Sequence, residues 1–222
     1  DRNGNSIQLL HEDTAHPARL TKAIDTYGRP ILYLYTDDRL TTIRDFTGRE
    51  IVLGYDANGD QVSVRSPIVT GTPNGNDFPQ GKTERYAYSS GHSNEDLNHN
   101  MLSITAPNEV AAGGPPRVQF VFDETAGPNA DRCLQQTYGG TNASGVPAGG
   151  TISYQFEVLT GGPRGSVSKT TVVDRSGNPT EYFFDAAGRP LIVREFTRGL
   201  RPGDPVFYET NHFYNADGNL IK

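Results

Sequence analysis

From Thr151 to Val158 apolar and polar residues alternate without a break. Ile152, Tyr154, Phe156 and Val158 fall on one side, and Thr151, Ser153, Gln155 and Glu157 on the other. This period of two predicts a strand in a sheet with one wet face. Ile51, Leu53 and Tyr55 share a strand face in the same way. The alternation belongs to a recurring phrase: an aromatic, any residue, a second aromatic, then a small polar or acidic residue. It occurs as Tyr33-Leu34-Tyr35-Thr36, Leu53-Gly54-Tyr55-Asp56, Tyr86-Ala87-Tyr88-Ser89, Phe120-Val121-Phe122-Asp123, Tyr154-Gln155-Phe156-Glu157, Tyr182-Phe183-Phe184-Asp185 and His212-Phe213-Tyr214-Asn215. Only Leu53 and His212 lapse at the first position. The spacing of the copies varies, so the phrase marks one supersecondary unit with loops inserted between repeats. Such arrays serve as surfaces, walls or spacers.

A second phrase, Asp-x-x-Gly plus a polar residue, interleaves with the first. Its copies begin at Asp1 (Gly4), Asp25 (Gly28), Asp45 (Gly48), Asp56 (Gly59), Asp174 (Gly177) and Asp185 (Gly188), and Asn215 opens a variant with Gly218. Asp opening a type I turn bonds its own backbone two residues on, and Gly three residues later accepts the left-handed conformation a bulged hairpin needs. The 11 residues from Asp45 to Asp56, and from Asp174 to Asp185, hold one turn and one strand. The expected architecture is all-β: a single array of antiparallel hairpins over 1–222, twisted into a curved, spiralling sheet. A lone hairpin is marginal in water, so the hairpin faces must share a core by curling or stacking. Loop insertions are expected near 66–82, 89–99, 108–117, 123–150 and 197–205. Within 89–99 one helical turn is expected, capped by Ser93 with Asp96 three residues on. Met101 to Glu109 reads as a worn strand and turn.

Composition narrows the function classes. The 222 residues carry a net charge of −6, and no basic cluster exists to displace the counterions of a nucleic acid. The 25 Gly and 15 Pro suit a turn-rich β protein, and 11 Tyr with 10 Phe carry much of the apolar content in the absence of Trp. Cys133 is the single cysteine, so no disulfide framework is expected, and it reads as a small buried or loop thiol. No apolar run reaches the roughly 18 residues of a transmembrane helix. The chain starts on Asp1 in mid-repeat and stops one strand after the last turn, which reads as a piece of a longer array with unpaired strand edges. Edge-to-edge self-association follows from such edges, and filaments if the contact is head to tail.

Chemistry-bearing motifs are few. Asp1 to Asn5 and Asp56 to Asp60 superficially resemble calcium loops, but Gly stands fourth instead of sixth and no closing Glu follows. His11 and His16 are five apart and would not share a helix face, so this is not the zinc motif. His92 and His99 have no ligand-spaced partner, and His212 occupies an aromatic position and reads as a packed side chain. Asp37-Asp38 and Glu95-Asp96 read as loop charges. No nucleophile elbow or phosphate loop is present. Asn142-Ala143-Ser144 is an N-glycosylation pattern, meaningful only in a glycosylating secretory host. No catalytic, cofactor-binding or metal residue is assigned.

The two phrases together resemble the YD (RHS) repeat, and Thr171 to Arg189 is similar to nearly one whole copy. The likeness is close over 1–65 and 166–222 and degraded, with insertions, over 83–165. The resemblance implies a β-sheet spiralling into a hollow shell, as in bacterial RHS proteins, toxin-complex shell components and teneurins. It further implies that the chain is a non-catalytic wall segment, that its partners are the rest of its own repeat chain and an enclosed C-terminal polypeptide, and that it is a secreted or cell-surface bacterial product. The family's self-cleaving segment, rich in Asp, Gly and Pro, is not found. Two rivals stand beside this reading. The long loops at 66–82 and 123–150 and the Tyr supply favour an extracellular adhesion or carbohydrate-binding module, and a polysaccharide-active enzyme is opposed by the missing motifs.

Overall fold

The computed structural model describes residues 2, 4–139, 149–197, 199 and 201–221. The expected β class holds: among the described residues fifteen strands follow one another in the sheet in chain order, and every registered pair is antiparallel. They fall into two compact units, residues 1–91 with 103–116, and residues 92–102 with 117–222.

The first unit contains β1 (Ile7–Leu10), β2 (Lys22–Asp25), β3 (Pro30–Thr36), β4 (Arg39–Arg44), β5 (Glu50–Tyr55), β6 (Gln61–Arg65) and β7 (Thr83–Tyr88). Its register stacks Leu9, Ala23 and Ile31, then Tyr33, Ile43 and Ile51, then Leu53 and Val64, on one face. The other face sets Arg44 opposite Glu50, bonded at 2.7 Å. β8 (Met101–Thr105) is divided between the units.

The second unit contains β9 (Val118–Phe122), β10 (Cys133–Tyr138), β11 (Thr151–Val158), β12 (Ser168–Val173), β13 (Pro179–Phe184), β14 (Pro190–Phe196) and β15 (Phe207–Asn211). Phe120 opposes Gln136, Tyr154 opposes Val172, and Phe156, Thr170, Tyr182 and Val193 follow on the same face. The aromatic phrase thus occupies every second strand from β3 to β13. Its last copy follows β15, where Tyr214 bridges Leu220.

Four expectations need correction. The 108–117 insertion overlaps a short helix, α1 (Pro107–Ala112), with Pro at the first turn and Gly113 closing it at φ +64°; it packs on β7. The 123–150 insertion contains β10. The turn in 89–99 is a 3₁₀ turn at Glu95–Leu97, capped by Asn94, whose side chain accepts from the Asp96 N–H, and not by Ser93. Val158 is 71% exposed at the end of its strand, so the apolar side of β11 does not cover its last residue.

The wet face also fails locally. Phe183 and Ile192 are the most buried apolar residues of the second unit's strands, yet both lie opposite the aromatic face. Tyr182, Phe183 and Phe184 are consecutive, so one of them must face away. The 159–167 segment is pinned across that side by Arg164, whose guanidinium donates to the Leu191 carbonyl (2.8 Å), Asn211 Oδ1 (3.2 Å) and the His212 carbonyl (3.1 Å). Asn211 is the strand partner of Ile192.

Among the described residues only Leu97, Phe183 and Ile192 are buried apolar side chains. All twelve aromatics of the phrase, Tyr33, Tyr35, Tyr55, Tyr86, Tyr88, Phe120, Phe122, Tyr154, Phe156, Tyr182, Phe184 and Tyr214, are half-buried. Apart from α1 on β7, the main packing is between strands adjacent in the sheet.

Candidate functional site

The turns repeat one hydrogen-bond pattern. In each, Asp Oδ1 accepts the backbone N–H groups two and four residues on. The distances are 2.9 and 3.0 Å at Asp25, 2.9 and 3.0 Å at Asp45, 2.9 Å for both at Asp56, 2.8 Å for both at Asp174, and 2.9 Å for both at Asp185. Gly28, Gly48, Gly59, Gly177, Gly188 and Gly218 all have positive φ, between +75° and +98°. In four copies the side chain of the residue after Gly returns to the second carboxylate oxygen. Arg29 reaches Asp25 at 2.6 Å, Arg49 reaches Asp45 at 2.7 Å, Arg189 reaches Asp185 at 2.8 Å, and Asn178 reaches Asp174 at 2.8 Å. These bonds hold the carboxyl pKa values of Asp25, Asp45 and Asp185 below the ordinary range. The Arg29 guanidinium leads at Asp25, the Thr47 hydroxyl at Asp45, and the Arg189 N–H at Asp185. Carboxylates engaged in this way serve the turn. No group of three metal-ligating side chains occurs among the described residues. Asp1, which opens the first turn copy, and the Asn142 pattern lie outside the described residues.

A further arrangement links the aromatic phrase to the neighbouring strand. The Tyr35 ring lies under Arg19 (5.1 Å), and its hydroxyl donates to the carbonyl of Leu20 (3.0 Å). Tyr55 lies under Arg39 (5.7 Å) and donates to Leu40 (2.9 Å), and Tyr214 lies under Arg189 (4.9 Å) and donates to Pro190 (2.9 Å). In each case the ring stacks on an Arg while its hydroxyl satisfies the carbonyl of the next residue. Sequence reading missed this because the partners are 15 or 24 residues apart; the recurrent Arg-Leu or Arg-Pro pair was its only trace.

Phe156 lies under Arg132 (4.7 Å) in the same manner, but as Phe it has no hydroxyl. Here the second unit carries an open concavity of about 640 Å³ lined by Phe120, Phe122, Arg132, Cys133, Gln136, Tyr154 and Phe156. Tyr154 donates to Gln136 Oε1 at 3.4 Å, and the Cys133 thiol donates to the Gln135 carbonyl at 3.3 Å. Burial pushes the Cys133 thiol pKa up, which opposes thiolate chemistry.

On the opposite face, five charged residues alternate in sign over consecutive strands. Lys169 pairs with Glu157 (2.8 Å) and Glu181 (3.2 Å), and Arg194 approaches Glu181 (4.0 Å) and binds Glu209 (2.9 Å). His11 and His16 lie in the loop between β1 and β2, where His16 meets Asp13 and Asp38. No helix among the described residues is long and apolar enough to cross a membrane.

No family model matches the chain, and no curated protein matches it. Among solved structures, the chain is similar to the crystal structure of TcdB2-TccC3-TEV, at 15% identity over 98% of its length with a TM-score of 0.41. It is also similar to a mutant Photorhabdus luminescens Tc holotoxin pore, at 14% identity over 98% of its length with a TM-score of 0.42. The chain spans 11% of the length of each matched chain.

Proposed function

We propose that this chain is a non-catalytic wall segment of a YD-repeat shell, whose role is to enclose or display a C-terminal polypeptide outside the cell that makes it. The observation that carries the reading is the half-buried aromatic face. A chain of hairpins presents its repeated aromatics along a sheet that packs mainly between adjacent strands, and among the described residues only three apolar side chains are buried. A surface of that kind needs further polypeptide against it. The turn carboxylates are consumed by backbone N–H and Arg donors, which argues for structural and against acid–base use.

Electron microscopy of the complete polypeptide that carries these repeats tests the reading. The expected result is a closed hollow particle with density inside. An open array, or filaments built by this chain alone, would overturn enclosure and favour an adhesion scaffold.

A further inference from the structure

The Arg132–Phe156 copy differs from its three counterparts in lacking a ring hydroxyl, and the concavity lies where it differs. The ring that answers to Tyr35, Tyr55 and Tyr214 has no hydroxyl to give the Cys133 carbonyl, the counterpart of Leu20, Leu40 and Pro190. Cys133 opposes Phe122 in the register just as Leu40 opposes Tyr35 and Pro190 opposes Phe184. Arg132, like Arg39, makes no ion pair among the described residues, whereas Arg19 is held by Asp13 and Asp38 and Arg189 by Asp185. An unpaired guanidinium therefore stands at the rim of a floor built from four aromatic rings.

We propose that this concavity binds a small planar aromatic carboxylate, its ring on Phe120, Phe122, Tyr154 and Phe156 and its carboxylate on Arg132. The volume of about 640 Å³ lies within the range of small-molecule sites. Guanidinium and carboxylate match through paired N–H donors. A sugar's C–H face could stack on these rings, but a neutral sugar would leave the Arg132 guanidinium without an anionic partner.

The test uses 1-naphthoate and the purified chain, whose lack of Trp leaves the ligand's fluorescence clear of indole emission. Saturable binding is expected, weakened about tenfold for 1-naphthalenemethanol and about tenfold by Arg132→Gln. Bound naphthoate should also slow labelling of Cys133, the chain's single thiol, by an uncharged disulfide. Phe156→Tyr supplies the missing hydroxyl, so it should weaken binding about tenfold while Tm stays level or rises. That pairing separates site loss from unfolding. Absence of saturable binding, or binding unchanged in both variants, would overturn the site. Equal affinity for the alcohol would overturn the carboxylate assignment, and tighter binding of an apolar peptide would overturn the small-molecule class.

Discussion

At the scale of single residues, the turn chemistry lies within five consecutive positions, so a linear reading reaches it. Asp, Gly and the returning Arg or Asn each have a sequence signature because each solves a local backbone problem. Gly188 has φ +75° and open space where a Cβ would stand, so Gly188→Val isolates the backbone term. We expect a loss of about 1 kcal/mol or somewhat more, read as a fall in Tm of about 2–4 °C; an unchanged Tm would refute the assignment. The depressed pKa values of Asp25, Asp45 and Asp185 carry a pH signature. A carboxyl whose folded pKa lies below its unfolded value stabilises fully above the unfolded pKa, about 3.9, and loses that contribution as pH falls through the folded value. Denaturation series between about pH 2 and 6 should therefore show an acid decline that is shallower in Asp45→Asn. The Tyr–Arg–carbonyl link was illegible because its partners are remote in sequence. Tyr55→Phe keeps the ring under Arg39 and removes only the bond to the Leu40 carbonyl; thermal unfolding should show a cost of about 1 kcal/mol, and equal stability would make the hydroxyl incidental.

At the scale of elements, alternation over Thr151–Val158 and the spacing of the turns made the β class legible. Elements with a weaker pattern were not. β10 (CLQQTY) carries Gln on both faces, so its polar and apolar sides do not separate. α1 has only six residues, too few for helical periodicity to register, and Pro107 and Gly113 are its usable signals. The charge ladder from Glu157 to Glu209 was hidden for another reason: it exists only in the cross-strand register of β11 to β15. Lys169 is 18% exposed and links two carboxylates of the ladder, whereas Lys22 meets only the 55% exposed Glu12. Lys169→Met should cost about 1–2 kcal/mol and Lys22→Met less than about 0.5, measured by urea denaturation. Equal costs would show that the ladder adds nothing beyond its separate pairs. The bond to Glu157 leads in raising the Lys169 pKa. Its contribution is therefore complete below the unfolded value, about 10.4, and fades as pH rises through the folded one.

At the scale of the whole molecule, the decisive quantity is surface that folding leaves exposed. The chain presents 14496 Å² to solvent, where two compact units of about half its mass would together present about 12,000 Å². The fully unfolded chain would expose about 35,000 Å², so folding hides about a tenth less area than in two compact units of that size. Denaturant sensitivity follows the area exposed on unfolding. Summed over its unfolding transitions, the urea m-value should accordingly fall about a tenth below the norm for two units that share 24.2 kDa. Polypeptide laid over the aromatic face would add buried area and raise the m-value with it. A compact-protein m-value for the chain at low concentration would mean that the face is already covered, and would remove the main support for a wall. A low value that climbs with protein concentration would instead assign the cover to a second copy of the same chain.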